Sequence, residues 1–129
     1  MGLNIVQFDE NIFERMMNTA NTALKDAECE QYTQAIVLLS TAGNEYSAVI
    51  KNALSEEKAD EKALLELLKK AEDTEIRYCL CMWQNGSIDI PSFAFRNMLC
   101  ELNPKNSETQ LFVITADGIN LRELFATMK

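Results

Sequence analysis

The chain has 129 residues, a formal net charge of −8 and no histidine. Its 47% hydrophobic and 25% charged residues are the composition of a folded globular domain and exclude a disordered chain. The acidic balance disfavours nucleic acid, which is held by Lys and Arg, and the missing histidine removes Ser-His and Cys-His nucleophile pairs and every histidine-containing zinc site.

Residues 8–25 carry Phe8, Ile12, Phe13, Met16, Met17, Ala20 and Leu24 at helical spacing, with Asp9 as cap and Phe8 stapled onto Phe13. "QAIVLLSTAGNEYSAVIK" (34–51) predicts two strands about a Gly43-Asn44 turn, and the unbroken apolar run 35–39 predicts cover on both faces of the first. Residues 56–71 predict a helix with Ser55 as cap and Ala59, Ala63, Leu64, Leu67, Leu68 and Ala71 on its inner face. Glu56, Glu57, Asp60, Glu61 and Glu66, with Lys58 and Lys62, then form its solvated charged face.

"EIRYCLCMW" (75–83) alternates as a strand does, which places Cys79 and Cys81 on one face as buried structural thiols. Asn85-Gly86 signals a turn, and a helix follows from 92 to about 102. "ELNPKNSETQ" (101–110) is a polar loop in which Asn103-Pro104 stops that helix. "TQLFVIT" (109–115) is a strand, Asp117-Gly118 a turn, and "LRELFATM" a short closing helix. The order is α-β-β-α-β-α-β-α, one domain over 1–129 built on one sheet. No apolar run reaches the length of a membrane span, and "MGLNIVQFDENIF" has no leader character. The expectation is a cytoplasmic protein with Cys29, Cys79, Cys81 and Cys100 reduced.

In "DIPSFAFRNML" (89–99), Pro91, Ser92 and Phe95 stand at the spacing of a Pro-Cys-x-x-Cys metal motif, with a hydroxyl and a benzene ring in place of two thiols. "QYTQAIVLL" resembles Tyr-Ser-x-Phe-x-Val-Gly-Ala-Ala, and "VIKNALSEEKADEKALLEL" resembles a strand, Asn-x-Glu-Asn-Ala and a Cys/His-Ala-Glu helix. "IPSFAFRNMLCEL" resembles Ser-Pro-Cys-x-x-Cys-Arg-Gln-x-Leu-x-Glu, and "DGINLRELF" resembles a closing turn and Glu-Leu-Leu. Together, over roughly residues 8–129, the chain resembles the small free-nucleoside cytidine deaminases.

The resemblance implies a three-layer α/β/α sandwich, here with the fifth strand short or missing. In that family one His or Cys on the first site helix and two Cys on the second hold a zinc ion that activates water, and a glutamate shuttles protons. The matching positions are Ala59, Ser92 and Phe95 for the metal and Glu61 for the shuttle, now a relic. Val49 and Lys51 match the ribose-holding Asn and Glu, Ala35 the base-packing phenylalanine, and Leu38 the glycine after it. Asn52-Ala53, Glu61, Pro91 and Arg96 are what remains of the signature. The degenerate pocket expected is thus Ala35, Val49, Lys51, Ala59, Glu61, Ser92, Phe95 and Arg96, with no metal and no cofactor. Ser92 becomes a helix cap, Phe93 or Phe95 fills the vacated space, and Arg96 pairs with a carboxylate.

The function expected is a catalytically inactive binding or assembly module, a dimer or tetramer of itself, with no nucleic acid and no membrane. Two alternatives stand beside it. One is an active cytidine deaminase or other nucleoside hydrolase with a relocated metal site using Glu61 with Cys79 or Cys81. The other is a small-molecule binding protein whose remodelled cleft, at Val49, Ala35 and Phe95, takes an apolar ligand.

Overall fold

Two apolar periodicities, one helical and one of strands, sort the chain into a sheet covered on both faces. The computed structural model describes residues 10–28, 30–115 and 118–122. In chain order these form α1 (Glu10–Asp26), β1 (Gln34–Ser40), β2 (Glu45–Ile50), α2 (Ala59–Ala71), β3 (Ile76–Trp83), β4 (Ile88–Asp89), α3 (Phe93–Leu102), a 3-10 turn (Pro104–Glu108), β5 (Gln110–Thr115) and β6 (Gly118–Arg122). The strands lie in the order β2-β1-β3-β5-β6, with β4 pairing β3 beyond the reach of β5. Among the described strands only the β3–β5 pair is parallel, and α3 lies on the crossover between them. The result is the expected three-layer α/β/α sandwich.

Because side chains alternate across a strand, the sheet divides the core in two. Ala35, Val37, Leu39, Tyr78, Leu80, Met82 and Phe112 pack beneath Phe13, Met16, Ala20 and Leu24 of α1. Ile36, Leu38, Ile50, Cys79, Cys81 and Leu111 pack beneath Leu64, Leu65 and Leu68 of α2 and Phe95 and Leu99 of α3. All of β1 is buried, as its unbroken apolar run predicts. No helix among the described residues is long and apolar enough to cross a membrane.

Several boundaries differ from expectation. Ser55 does not cap α2: its Oγ accepts from the Glu57 N–H at 3.3 Å, one turn too early. The helix starts at Ala59, entered through Lys58 in the left-handed region (φ 53°, ψ 36°) without a side-chain cap. The Asp60 carboxylate in its first turn accepts instead from the backbone N–H of Lys51 at 3.0 Å, so the helix start is tied to the end of β2. Its buried stripe is Glu61, Leu64, Leu65 and Leu68, rotated from the predicted one, and Leu67 is half exposed. The Asn85-Gly86 turn forms with Gly86 at φ 90°, where an L side chain would be strained, and folds β4 back onto β3.

The fifth strand expected to be short or missing is present as β6, five residues paired along β5 from Thr115↔Gly118 to Leu111↔Arg122. Leu121 and Arg122, expected in the closing helix, therefore belong to that strand, paired with Phe112 and Leu111. The rest of the predicted closing helix, Cys29, Asp117, Phe8 and Asp9 lie outside the described residues.

The polar 101–110 segment turns inward. Asn106 is fully buried; its Oδ1 accepts from the Ile76 N–H at 2.8 Å, and its Nδ2 donates to the carbonyls of Thr74 and Leu99, both at 2.9 Å. Thr109 Oγ1 adds a 2.7 Å bond to the Ile76 carbonyl. This brace fixes the start of β3 against the end of α3.

Candidate functional site

β1, β2 and β3 bring Gln34, Ile50 and Trp83 to one end of the sheet, and α2 and α3 both begin there. The α3 start is built as its sequence suggests. Ser92 Oγ accepts from the Phe95 N–H at 3.1 Å, one of the donors every helix start leaves open. Phe95 turns into the core with 0% exposure, while Phe93 lies on the surface. Phe95, not Phe93, is therefore the ring that occupies the interior. The Arg96 guanidinium sits over the Phe93 ring at 5.6 Å from its centroid.

Glu61 departs from the solvated face predicted for it. It is 3% exposed, because it stands one turn before Leu64 and Leu65 on the buried stripe. Its Oε2 lies 3.8 Å from Lys58 Nζ, with the two side chains 4% and 12% exposed, and Lys58 Nζ also donates to the Ala53 carbonyl at 2.8 Å. Burial pushes the Glu61 carboxyl above the usual carboxylate range, against the lowering pull of its own backbone N–H and of Lys58.

That shift has a direction in stability. A carboxyl with a raised folded-state pKa keeps its proton at pH values where the unfolded chain has lost it, so stability falls as pH rises through the window between the ordinary and raised values. Above that window Glu61 is an ionised group in the interior and Lys58 is its counter-charge. Lys58→Met is expected to cost about 3 kcal/mol at pH 7, roughly 10 °C in Tm, because it strands a buried charge. Glu61→Gln should be neutral or mildly stabilising at pH 7, and Lys58→Met with Glu61→Gln should recover most of the loss. Near pH 3, where Glu61 is protonated, the Lys58→Met deficit should shrink. Thermal melts at the two pH values check all three, and equal Lys58→Met deficits at both would remove Lys58 as the counter-charge.

The three positions matched to zinc ligands do not fit the ion. The Ala59 methyl and the Phe95 ring offer no lone pair, and the Ser92 hydroxyl is committed to capping α3. Relocation to the thiols meets a different obstacle. Cys79 and Cys81 are buried on the α2/α3 face of β3, where burial pushes the Cys79 thiol up to about 12. Cys81 is raised by burial first, then by Cys79, Asp89 and Glu61; metals bind the thiolate, which this setting opposes. Among the described residues, no three His, Cys, Asp or Glu side chains form a group able to hold a metal ion.

The remaining expected site residues are not brought together with these. Ala35 is buried against α1, and Val49, its direct partner on β2, shares that face. Lys51 is exposed and, with Val49, Thr33, Glu28 and Glu30, lines a cavity of about 470 Å³. These three therefore sit across the sheet from, or outside, the Glu61–Phe95 cluster. The β2 residues that face α2 and α3 are Tyr46, Ala48 and Ile50, and on β1 they are Ile36 and Leu38. A shift of one residue exchanges the faces of a strand; the alternation in "EYSAVI" was the available signal. Neither Ala48 nor Ile50 carries a side-chain hydrogen-bonding group, and the Tyr46 hydroxyl on this face donates to Asp73 Oδ2 at 2.9 Å. Lys58, hidden in a run of charges, had no sequence signal at all.

No family model and no curated protein matches the sequence. Solved structures do match. The chain is similar to a cytidine deaminase from Mycobacterium leprae (17% identity, 88% of this chain and 94% of that one, TM-score 0.62). It is also similar to the cytidine deaminase from Mycobacterium tuberculosis (18% identity, 87% and 89% coverage, TM-score 0.62). A third match is the cytidine deaminase from Burkholderia pseudomallei (13% identity, 88% and 94% coverage, TM-score 0.60). With these matches covering 87–88% of the chain at TM-scores of 0.60–0.62, this protein has the cytidine deaminase-like fold.

Proposed function

We propose that the chain is a non-catalytic member of this fold, retained as a binding or assembly module in the cytoplasm and forming an oligomer of itself. One observation carries the reading. At the two helix starts the residues are an alanine, a serine occupied as a helix cap and a fully buried phenylalanine. A zinc-activated water has no holder in that set, and Glu61, paired with Lys58, has no nucleophile to deprotonate.

The test is metal analysis of the purified chain at neutral pH, alongside turnover of cytidine and deoxycytidine. The expected result is substoichiometric zinc and no release of ammonia. Stoichiometric zinc, or deamination that disappears in Glu61→Gln, overturns the proposal in favour of a relocated catalytic site.

A further inference from the structure

β2 ends the sheet on the side opposite β6, and among the described strands its one neighbour is β1. The Ser40 N–H donates to the Asn44 carbonyl at 2.9 Å across the hairpin turn, which sets the alternation along this antiparallel pair. With Leu39 opposite Glu45 and Gln34 opposite Ile50, Tyr46, Ala48 and Ile50 turn their backbone groups to β1, and Glu45, Ser47 and Val49 turn theirs outward. Lys51 agrees, since its N–H points out to the Asp60 carboxylate at 3.0 Å. Among the described residues nothing pairs with the outward N–H and C=O groups of Ser47 and Val49. Residues 45–50 also hold no proline, lysine or bulge of the kind that blunts a free edge.

α2 lies along this edge. Asp60 at its start reaches Lys51, and Asp73 just past its end accepts from the Tyr46 hydroxyl at 2.9 Å, so the helix runs antiparallel to β2 over the strand's length. One flank of α2, at Lys62, Glu66 and Lys69, shares a groove with Met98, Glu101 and Leu102 of α3. Ala63, Leu67 and Ala71 follow Asp60 at helical spacing and form the opposite flank, beside the free edge. All three are exposed, Leu67 to 50%. Leu67 stands near the middle of the span between the two anchors, as Ala48 does on β2.

A second copy fits this edge in one register. Outward residues must meet outward residues, and a twofold axis at Ala48 sets Ser47 opposite Val49 of the second copy, where they exchange both N–H···O bonds on each side of the axis. The same register sets Glu45 opposite Lys51 of the second copy, an opposite-charge pair made twice. Glu45 holds Thr19 Oγ1 at 2.6 Å and Arg15 at 3.7 Å, and its second oxygen accepts no hydrogen bond; Lys51 is exposed. An axis at Ser47 or Val49 would set no cation opposite Glu45. A lone extended peptide would fill the edge but leave Leu67 uncovered, whereas a second copy brings its own Leu67 to the axis.

We propose that β2 pairs with β2 of a second copy across a twofold axis at Ala48, joining the two sheets and closing Ala63, Leu67 and Ala71 of the two α2 helices on each other. The inference names the surface of the self-oligomer proposed above and rests on that reading.

Sedimentation of the full chain at neutral pH is expected to give a dimer, the state that one twofold interface closes. Leu67→Lys changes a side chain that is exposed in the single chain, and Ser47→Pro removes an N–H that nothing in the single chain accepts. Each should weaken the dimer about tenfold or more with an unchanged circular dichroism spectrum. Ala48→Cys should form a disulfide-linked dimer under oxidation too mild to link the wild-type chain. Residues facing each other at a non-hydrogen-bonded antiparallel position have Cα atoms about 4.5 Å apart, within disulfide reach. Ser47→Cys, displaced from the axis, should not link. A monomeric wild-type chain overturns the oligomer reading and this one together, and leaves the edge to an extended segment of another protein. A dimer that Leu67→Lys and Ser47→Pro leave intact, or in which Ala48→Cys forms no link, overturns this interface alone. Leu67→Lys and Ala48→Cys decide the question even if Ser47→Pro does not fold.

Discussion

Phe95→Ala is expected to destabilise the fold by about 4 kcal/mol, a fall in Tm of roughly 12–16 °C. The ring is fully buried, in the cluster that holds Leu64, Leu99, Cys79 and Cys81. How much of a truncation cost is relieved depends on how far the surroundings collapse. Little collapse is available here, because the Phe95 backbone is fixed in the first turn of α3 by the Ser92 cap and the strand beneath it is paired on both sides. Urea unfolding with an unchanged m-value is the measurement, and a loss below about 1 kcal/mol would mean that the ring fills no essential space. Ser92→Ala, which removes only the cap, should cost about 1 kcal/mol.

The same position tests the proposal of a vacated metal centre. Ala59→Cys, Ser92→Cys and Phe95→Cys together set three thiols at two helix starts, where the macrodipole favours thiolates. This triple variant should be less stable than wild type without metal and should regain stability on adding zinc, since metal binding adds directly to folding. Cobalt substitution should give the absorption of a tetrahedral thiolate site. A triple variant that folds and ignores both metals would show that these three positions are not the family's ligand positions, and the proposal of a vacated centre would fall with it.

Much of this frame is legible in the residues. The α1 stripe of Phe13, Met16, Ala20 and Leu24 is buried as its spacing predicts, the 35–39 run is covered on both faces, and Ser92 caps α3. What misled had a physical origin in each case. On α2 the alanines are small enough to stand on either face, so counting them with the leucines turned the predicted stripe toward the solvent and hid Glu61 on the buried one. On β2 an apolar Val49 looks like a pocket residue until its pairing with Ala35 sets it on the opposite face. The β4 segment, two residues long, is too short for any alternation to reveal. Glu61 and Lys58 were invisible as a pair because burial of charge depends on the entry geometry of the helix, which the left-handed Lys58 sets.

The largest effect that no sequence pattern foretold belongs to Asn106. Asn106→Ala is expected to cost about 2–4 kcal/mol, because it orphans the buried Ile76 N–H, takes a bond from the half-buried Thr74 carbonyl and leaves the Leu99 carbonyl with only the Asn103 N–H, at roughly 1–3 kcal/mol for each buried group left unpaired. Three bonds of 2.8–2.9 Å converge on this one side chain, and it is 0% exposed, so solvent cannot replace them. Asn106→Asp separates hydrogen bonding from packing, since volume is kept while both donors are lost and a charge is set against two carbonyls. It should be at least as damaging at pH 7. An aspartate there would have its pKa raised by burial and by the carbonyl oxygens. Its deficit should therefore be greatest above that raised pKa and diminish as pH falls through it, when the protonated carboxyl can donate to one carbonyl again. Asn106→Ala has no such group, and its deficit should stay flat with pH. Denaturant midpoints of both variants across that range make the comparison. Parallel behaviour of the two would mean that the brace acts through shape alone. Because it joins the end of α3 to the start of β3, it holds in register the helix that carries Phe95 and the strand that carries Cys81 and Trp83. The candidate site thus depends on a loop residue that does not touch it.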